Sequence, residues 1–164
     1  MKNIYLIGMP GCGKSTIGKI ISREMNMKFV DLDAYIVEST GKSVEEMFTI
    51  GERYFRTQEA ECLKKTALLT DTVVATGGGV VEMPINADTM KNSGTVVFID
   101  TPVRNILSNS SLSGRPLLAD NKNKIFELYE RRYDKYVDAA DVVVLNNGTV
   151  DEITEKIISS VFTK

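Results

Sequence analysis

One eight-residue segment near the start constrains the sequence more than any other. Residues 8–15 read G-M-P-G-C-G-K-S and match G-x-x-x-x-G-K-[ST] in full. An apolar run precedes the segment and an amphipathic stretch follows it, so it joins a predicted strand to a predicted helix. There the glycines let backbone N–H groups approach phosphate oxygens, and the helix adds its positive N-terminal end. The segment therefore predicts a phosphate-binding loop rather than a plain glycine turn.

The side chains of this loop are expected to bind a nucleotide, which we expect to be ATP. Lys14 would reach the β- and γ-phosphates, and the Ser15 hydroxyl would bind Mg²⁺, the expected cofactor. Cys12 is either a reactive thiol whose alkylation blocks ATP or an inert small residue. The expected nucleotide contacts in the loop are Gly11, Cys12, Gly13, Lys14, Ser15 and Thr16.

Five short apolar runs alternate with longer amphipathic stretches. The runs are residues 3–7, 28–32, 72–75, 95–99 and 141–145. Their nearly continuous apolarity predicts strands buried on both faces, and the alternation predicts a parallel sheet between helices. We expect the three-layer α/β/α fold of P-loop NTPases, with a five-stranded parallel sheet and ligands at the carboxyl ends of the strands.

At 164 residues, the chain has the usual size of one domain, expected here over residues 1–164. Residues 108–114 form a polar stretch that predicts a mobile lid, taken as about residues 108–121. A substrate-binding region is expected over about residues 33–62.

The predicted helices are residues 14–25, 43–50, 52–69, 84–91, 102–108, 121–137 and 149–162. Ser43 and Thr149 each stand three residues before a glutamate, which is typical of a capping box. Thr101 before Pro102 predicts a cap ahead of a first-turn proline.

Two aspartates close the second apolar run. If both lie on the strand, Asp31 and Asp33 point to the same side, about 7 Å apart along it. We assign Asp31 to the metal through a water molecule, and Asp33 to a substrate hydroxyl that it would make more nucleophilic. Alternatively, one aspartate caps the helix beginning near Ala34 and the other is solvated.

Several later segments complete a pattern. They are G-E-R-Y-F-R at residues 51–56, T-G-G-G at 76–79, G-R-P-L-L at 114–118 and R-R-Y-D-K-Y at 131–136. The ordered set G-x-x-G-x-G-K-S-T, D-x-D, G-E-x-x-F-R, G-G-G, R-P-L-L and R-x-x-x-Y resembles the shikimate kinase family. The resemblance covers residues 4–144, almost the entire chain.

The resemblance implies that ATP phosphorylates the 3-hydroxyl of shikimate, a step in chorismate and aromatic amino-acid biosynthesis. Asp33 would contact the ring hydroxyls, and Arg56 and Arg132 the carboxylate, which suits planar guanidinium groups. Arg115 would lie on a lid that closes over ATP. The implied catalytic residues are Lys14, Asp33 and Arg115, and the implied substrate contacts are Asp33, Arg56, Gly77, Gly78, Gly79 and Arg132.

Two positions depart from the family's pattern. Ser108 and Asn109 stand where an arginine commonly packs on adenine, and residues 146–148 read N-N-G where an arginine or glutamine is often found.

The chain also has no histidine, which excludes a histidine base and a phosphohistidine intermediate.

Composition argues against nucleic acid and membranes as partners, and the resemblance implies ATP and shikimate as the partners. A net charge of −2 gives no general attraction to nucleic acid or anionic membranes. No run approaches the roughly 20 apolar residues of a membrane span, and nothing resembles an export signal, so a cytoplasmic location is expected. Cys12 and Cys62 have no metal-ligand or redox-pair spacing. A monomer is the default expectation.

Two other functions compete with this hypothesis. One is another small-molecule P-loop kinase, acting on a sugar acid or a nucleotide. The other is a GTP-dependent switch or a catalytically silent nucleotide-binding module, against which the sequence offers two observations. No D-x-x-G follows a strand, and N-K-N-K at residues 121–124 lacks the aspartate that would read guanine.

Overall fold

A parallel five-stranded sheet forms the centre of the computed structural model, which describes residues 2–108 and 122–163. The strand order is β2-β3-β1-β4-β5. The strands are β1 (Asn3–Ile7), β2 (Lys28–Asp31), β3 (Thr72–Ala75), β4 (Gly94–Asp100) and β5 (Val142–Leu145). Tyr5 of the central strand lies opposite Val74 of β3 and Val96 of β4. Because all pairings are parallel, the carboxyl ends of the strands meet at one edge of the sheet.

Eight α-helices and one short 3₁₀ helix surround this sheet in the described part of the chain. The α-helices are α1 (Lys14–Glu24), α2 (Leu32–Thr40), α3 (Val44–Ile50), α4 (Glu52–Thr66), α5 (Pro84–Ser93), α6 (Val103–Ser108), α7 (Lys122–Ala139) and α8 (Val150–Phe162). The 3₁₀ helix is Val80–Glu82. None of these described helices combines the length and apolarity that a membrane span requires.

The core consists of two apolar clusters, one on each face of the sheet. Ile4 and Leu6 of β1 belong to a cluster with Ile17 of α1 and Ile153 of α8. The alternate residues of β1 belong to the other cluster, whose helical members come from α2 to α7. Alternation along a strand sends successive side chains to opposite faces, so a strand apolar at every position needs helices on both. The predicted α/β fold with a five-stranded parallel sheet is confirmed.

Two of the three predicted helix caps are present, and in both the capping side chain bonds to the first turn of the helix that follows it. Both predicted capping boxes are present, at Ser43 with Glu46 and at Thr149 with Glu152. The interpretation of Thr101 as a cap was wrong. Its hydroxyl accepts a hydrogen bond from Asn146, and the carbonyl of Pro102 accepts the first bonds of α6.

The helix α2 was not among the predicted amphipathic stretches, but the alternative in which one aspartate caps a helix beginning near Ala34 is confirmed for Asp31. The helix presents only two fully buried apolar residues, Leu32 and Ile36, so its apolar stripe is short. Its early start also ends β2 at Asp31, one residue before the predicted end. The predicted lid over residues 108–121 lies outside the described residues except for Ser108, the last residue of α6.

Candidate active site

The predicted phosphate loop joins β1 to α1 in a conformation that requires glycine. Gly11 and Gly13 have φ angles of 80° and 93°, in the left-handed region that other residues rarely adopt. Lys14 is only 8% exposed, and its Nζ donates to the carbonyls of Gly8 at 2.7 Å and Met9 at 2.9 Å. The loop therefore surrounds the ammonium group and holds it at the carboxyl-end edge of the sheet.

Asp31 binds the start of two helices at once. Its Oδ2 accepts from the Ser15 hydroxyl at 2.6 Å, and its Oδ1 caps α2 by accepting from the Ala34 N–H at 3.1 Å. Asp31 can therefore cap α2 and also face the expected metal site at Ser15, because each task uses a different oxygen of its carboxylate. The hydroxyl and carboxylate are hard oxygen donors of the kind that Mg²⁺ prefers.

The described residues contain no group of three or more His, Cys, Asp or Glu side chains that could hold a metal ion. A pair of oxygen donors beside a phosphate loop nevertheless fits Mg²⁺, which commonly takes one or two protein ligands together with nucleotide phosphates and water. Ser15 and Asp31 therefore fit the expected cofactor.

Asp33 is not a strand residue. It lies in the first turn of α2, so the expectation of two aspartates on one side of a strand was wrong. The helix instead directs the Asp33 carboxylate toward the glycine triplet. A Cβ built on Gly77 would stand 2.8 Å from Asp33 Oδ1 and 3.1 Å from Glu59 Oε2. A side chain at position 77 would therefore displace the Asp33 carboxylate and press against that of Glu59.

The other glycines of the triplet also make room for specific neighbours. A Cβ on Gly78 would be 2.6 Å from the Pro10 ring of the phosphate loop, and one on Gly79 would overlap the Arg56 guanidinium. The triplet thus lies against the phosphate loop on one side and against α4 on the other. This explains why three residues without side chains follow β3.

Glu59, which the sequence interpretation missed, is fully buried beside Arg56. Arg56 Nη1 donates to Glu59 Oε1 at 2.9 Å, and the two side chains are 12% and 0% exposed. Burial raises the pKa of the Glu59 carboxyl, and the Arg56 guanidinium opposes that shift. The sequence did contain a sign of this role, because Glu59 follows buried Phe55 by four residues and so lies on the apolar face of α4. An acidic residue buried on such a face requires a partner.

Arg132 reaches the same pocket from α7. It is buried, and its charge acts on Glu59 and on Tyr136. The Tyr136 hydroxyl donates to the carbonyl of Gly78 at 2.5 Å, which docks α7 on the glycine triplet. The structure therefore brings the predicted residues Asp33, Arg56, Arg132 and the glycine triplet together.

Several buried polar atoms of this pocket lack a hydrogen bond. Among the described residues they include Arg56 Nε, Glu59 Oε2 and Arg132 Nε. Buried polar atoms are nearly always paired, so such a concentration calls for an explanation. Nε of Arg132 lies 3.5 Å from a Glu82 carboxylate oxygen, an ion pair longer than a hydrogen bond. A hydroxylated acid would satisfy the other two atoms, because its oxygens can accept from Arg56 Nε and its hydroxyl can donate to Glu59 Oε2.

Glu59→Ala should destabilise the protein by about 3 kcal/mol, because it removes the buried carboxylate 2.9 Å from the Arg56 guanidinium and leaves that largely buried cation with the exposed, more distant Glu52 at 3.6 Å. Denaturant unfolding would measure the loss. Glu61→Ala on the same helix is the matched control, since Glu61 pairs with Lys64 on the exposed surface and should change stability by less than about 1 kcal/mol. Equal effects of the two substitutions would contradict a buried pair.

A cavity of about 350 Å³ opens on the opposite side of the phosphate loop. Its lining residues are Gly11, Cys12, Gly13, Thr16, Ile17, Thr101, Asn105, Asn146, Gly148 and Val150. Asn146 Nδ2 donates to the Cys12 carbonyl at 3.2 Å and to Thr101 Oγ1 at 3.0 Å, joining β4, β5 and the loop. The departure at residues 146–148 thus lies at this cavity, and Asn105 is a lining residue that sequence reasoning missed.

Two predictions about the expected nucleotide site remain. Cys12 is buried, and its Sγ lies 3.6 Å from Lys14 Nζ, so the thiol faces the loop interior. Arg115, the predicted lid arginine, and Asn109 lie outside the described residues.

Comparisons with known proteins identify the family of this chain. The family model described as shikimate kinase matches residues 10–162. A protein of Clostridium botulinum (strain Alaska E43 / Type E3) named shikimate kinase is 52% identical over 96% of each chain. A shikimate kinase from Acinetobacter baumannii, solved in complex with shikimate, has a TM-score of 0.92 and 31% identity, with coverage of 99% of this chain and 94% of that one.

The structure of shikimate kinase from Aquifex aeolicus gives a TM-score of 0.82 and 36% identity, over 96% of this chain and 94% of that chain. Sequence and fold thus agree over nearly the whole length. The chain belongs to the shikimate kinase family, and it is a kinase of the transferase class.

Proposed function

We propose that this kinase transfers the γ-phosphoryl group of ATP to the 3-hydroxyl of shikimate, giving shikimate 3-phosphate and ADP. The observation that supports this acceptor most strongly is that the charges of Arg56 and Arg132 both act on buried Glu59 beside the glycine triplet, where the Arg56 guanidinium lies against Gly79. The proposal also agrees with the shikimate bound by the Acinetobacter baumannii relative.

The acceptor side of the pocket selects a hydroxylated acid. Two guanidinium groups favour a carboxylate over a neutral sugar, because each can form charge-assisted hydrogen bonds with it. The Asp33 carboxylate, over Gly77, would accept a hydrogen bond from the reacting hydroxyl and take up its proton. The chain has no histidine that could compete for this role.

The donor side uses the phosphate loop. Loop N–H groups and Lys14 would bind the β- and γ-phosphates, with Thr16 next to the cavity that would receive the rest of the nucleotide. Ser15 would hold Mg²⁺ with its hydroxyl and Asp31 would hold it through a water molecule, and the ion supplies charge neutralisation to the phosphates when it is bound. Arg115 would bring a further positive charge to the transferring group.

A coupled ADP-release assay tests the function directly. ADP should appear with ATP and shikimate and should not appear in a no-acceptor control. A panel with gluconate and nucleoside monophosphates tests the competing kinase hypothesis. ADP release with either of these but not with shikimate would refute the proposed acceptor. Binding of GDP over ADP without turnover would instead indicate a switch protein.

Arg132→Ala should raise KM for shikimate by about tenfold or more and leave KM for ATP within about twofold, because one charged partner of the carboxylate is lost. Steady-state kinetics with each substrate varied would separate the two effects. Lys124→Ala, which removes an exposed cation from the same helix, is the matched control and should change neither constant. An unchanged KM for shikimate in Arg132→Ala would remove this residue from the acceptor site.

A further inference from the structure

Glu82 forms a charge cluster with three cations of α7, and none of the sequence motifs includes Glu82. It is the last residue of the 3₁₀ helix that follows the glycine triplet. Its Oε2 accepts from Arg131 Nη2 at 3.2 Å, and its Oε1 accepts from Lys135 Nζ at 3.2 Å. The same Oε1 lies 3.5 Å from Nε of Arg132.

The three cations of this cluster differ in burial. The side chains of Arg131 and Lys135 are 58% and 45% exposed, so their pairs with Glu82 contribute little, as is usual at a surface. The Arg132 side chain is only 8% exposed, and a buried guanidinium without a countercharge would be costly. Glu82 therefore matters most to Arg132.

Glu82 is suited to stay ionised in this role. Burial alone would raise its pKa, but Lys135, Arg132 and Arg131 together lower the pKa of this carboxyl below its usual value. The carboxylate thus retains its negative charge while only 17% of its side chain is exposed.

We propose that Glu82 is a positioning residue for the acceptor. By meeting Arg132 at Nε, it orients the guanidinium so that the terminal nitrogens are presented to the shikimate carboxylate. The inference rests on the proposed function, in which Arg132 binds that carboxylate. A guanidinium held in its binding orientation loses less conformational entropy when the ligand arrives, so the effect should be on acceptor affinity.

The backbone around Glu82 does not depend on the carboxylate alone. Asn86 Nδ2 donates to the Val80 carbonyl at 2.9 Å, and the Tyr136 hydroxyl donates to the Gly78 carbonyl. These bonds hold the turn that leads into the 3₁₀ helix from both sides. Removing only the charge of Glu82 should therefore leave the fold in place and change the orientation of Arg132.

Glu82→Gln tests the proposal because it keeps the shape and removes the charge. We expect KM for shikimate to rise by about tenfold, KM for ATP to stay within about twofold and the melting temperature to stay within about 3 °C. Glu130→Gln removes an exposed carboxylate from α7 and is the matched control, with no expected change. Glu82→Asp, which keeps the charge on a shorter side chain, should recover part of the affinity and provides the same comparison if Glu82→Gln does not fold.

A double-mutant cycle shows whether Glu82 acts through Arg132. In an Arg132→Ala background, Glu82→Gln should cause no further rise in KM for shikimate. An equal rise in both backgrounds, or no rise in the wild-type background, would overturn the positioning role while leaving the proposed function intact. A wild-type protein that releases no ADP with shikimate would overturn the proposed function and, with it, this inference.

Discussion

Lys14→Ala should lower kcat/KM by about 1,000-fold, because it removes the loop cation that stabilises the charge developing on the transferring phosphoryl group. In the structure, the ammonium group is held by the Gly8 and Met9 carbonyls at the mouth of the loop. An alanine leaves these carbonyls without their cation and also leaves the phosphates without a partner. ADP release at saturating shikimate, with ATP varied, measures the loss.

Lys19→Ala is the matched control for this experiment. Lys19 lies on the same helix, but its side chain is exposed and faces the ring of Phe29 at 5.9 Å. We expect the control to keep wild-type kinetics. If Lys14→Ala also retained kcat/KM within about tenfold of wild type, Lys14 would have no place in the transfer step.

Asp33→Asn should lower kcat by about 100-fold to 1,000-fold with a smaller change in KM for shikimate. Asparagine keeps the size of the side chain and can still hydrogen-bond a hydroxyl, but it cannot accept the proton that the hydroxyl gives up. The loss should therefore appear in turnover at saturating concentrations of both substrates.

Glu38→Gln provides the control for Asp33, since it neutralises an exposed carboxylate on the same helix. Comparable losses in the two variants would indicate a general effect of charge on α2. Near wild-type turnover in Asp33→Asn would remove Asp33 from the mechanism. A large rise in KM for shikimate with unchanged kcat would assign Asp33 to binding alone.

The strands were predictable because a buried parallel strand is apolar along its whole length. β1 and β3 have the predicted bounds, and β4 extends the predicted run by one residue at each end. The phosphate loop was predictable for a related reason. Its backbone conformation requires glycines at fixed positions, so the loop can be recognised from a short stretch of consecutive residues.

The local sequence pattern gave the wrong secondary structure for Asp33, which was expected on a strand and lies in α2. Asp31 ends the strand and caps the helix, so Asp33 is directed by helical rather than strand geometry. Nothing in the letters D-L-D distinguishes the two, because the same residues are compatible with a strand end or a helix start. The packing of α2 on the core through Leu32 and Ile36 decides between them.

Three features of this protein can be recognised from the amino-acid sequence alone, namely the phosphate loop, the α/β order of elements and the family resemblance. These depend on residues that are neighbours along the chain or recur at the period of a strand or helix. The buried pairing of Glu59 with Arg56, and that of Glu82 with Arg132 from a distant segment of the chain, can be seen only in the folded structure. Burial and charge pairing between distant segments set the role of a carboxylate, and both exist only after the chain has folded.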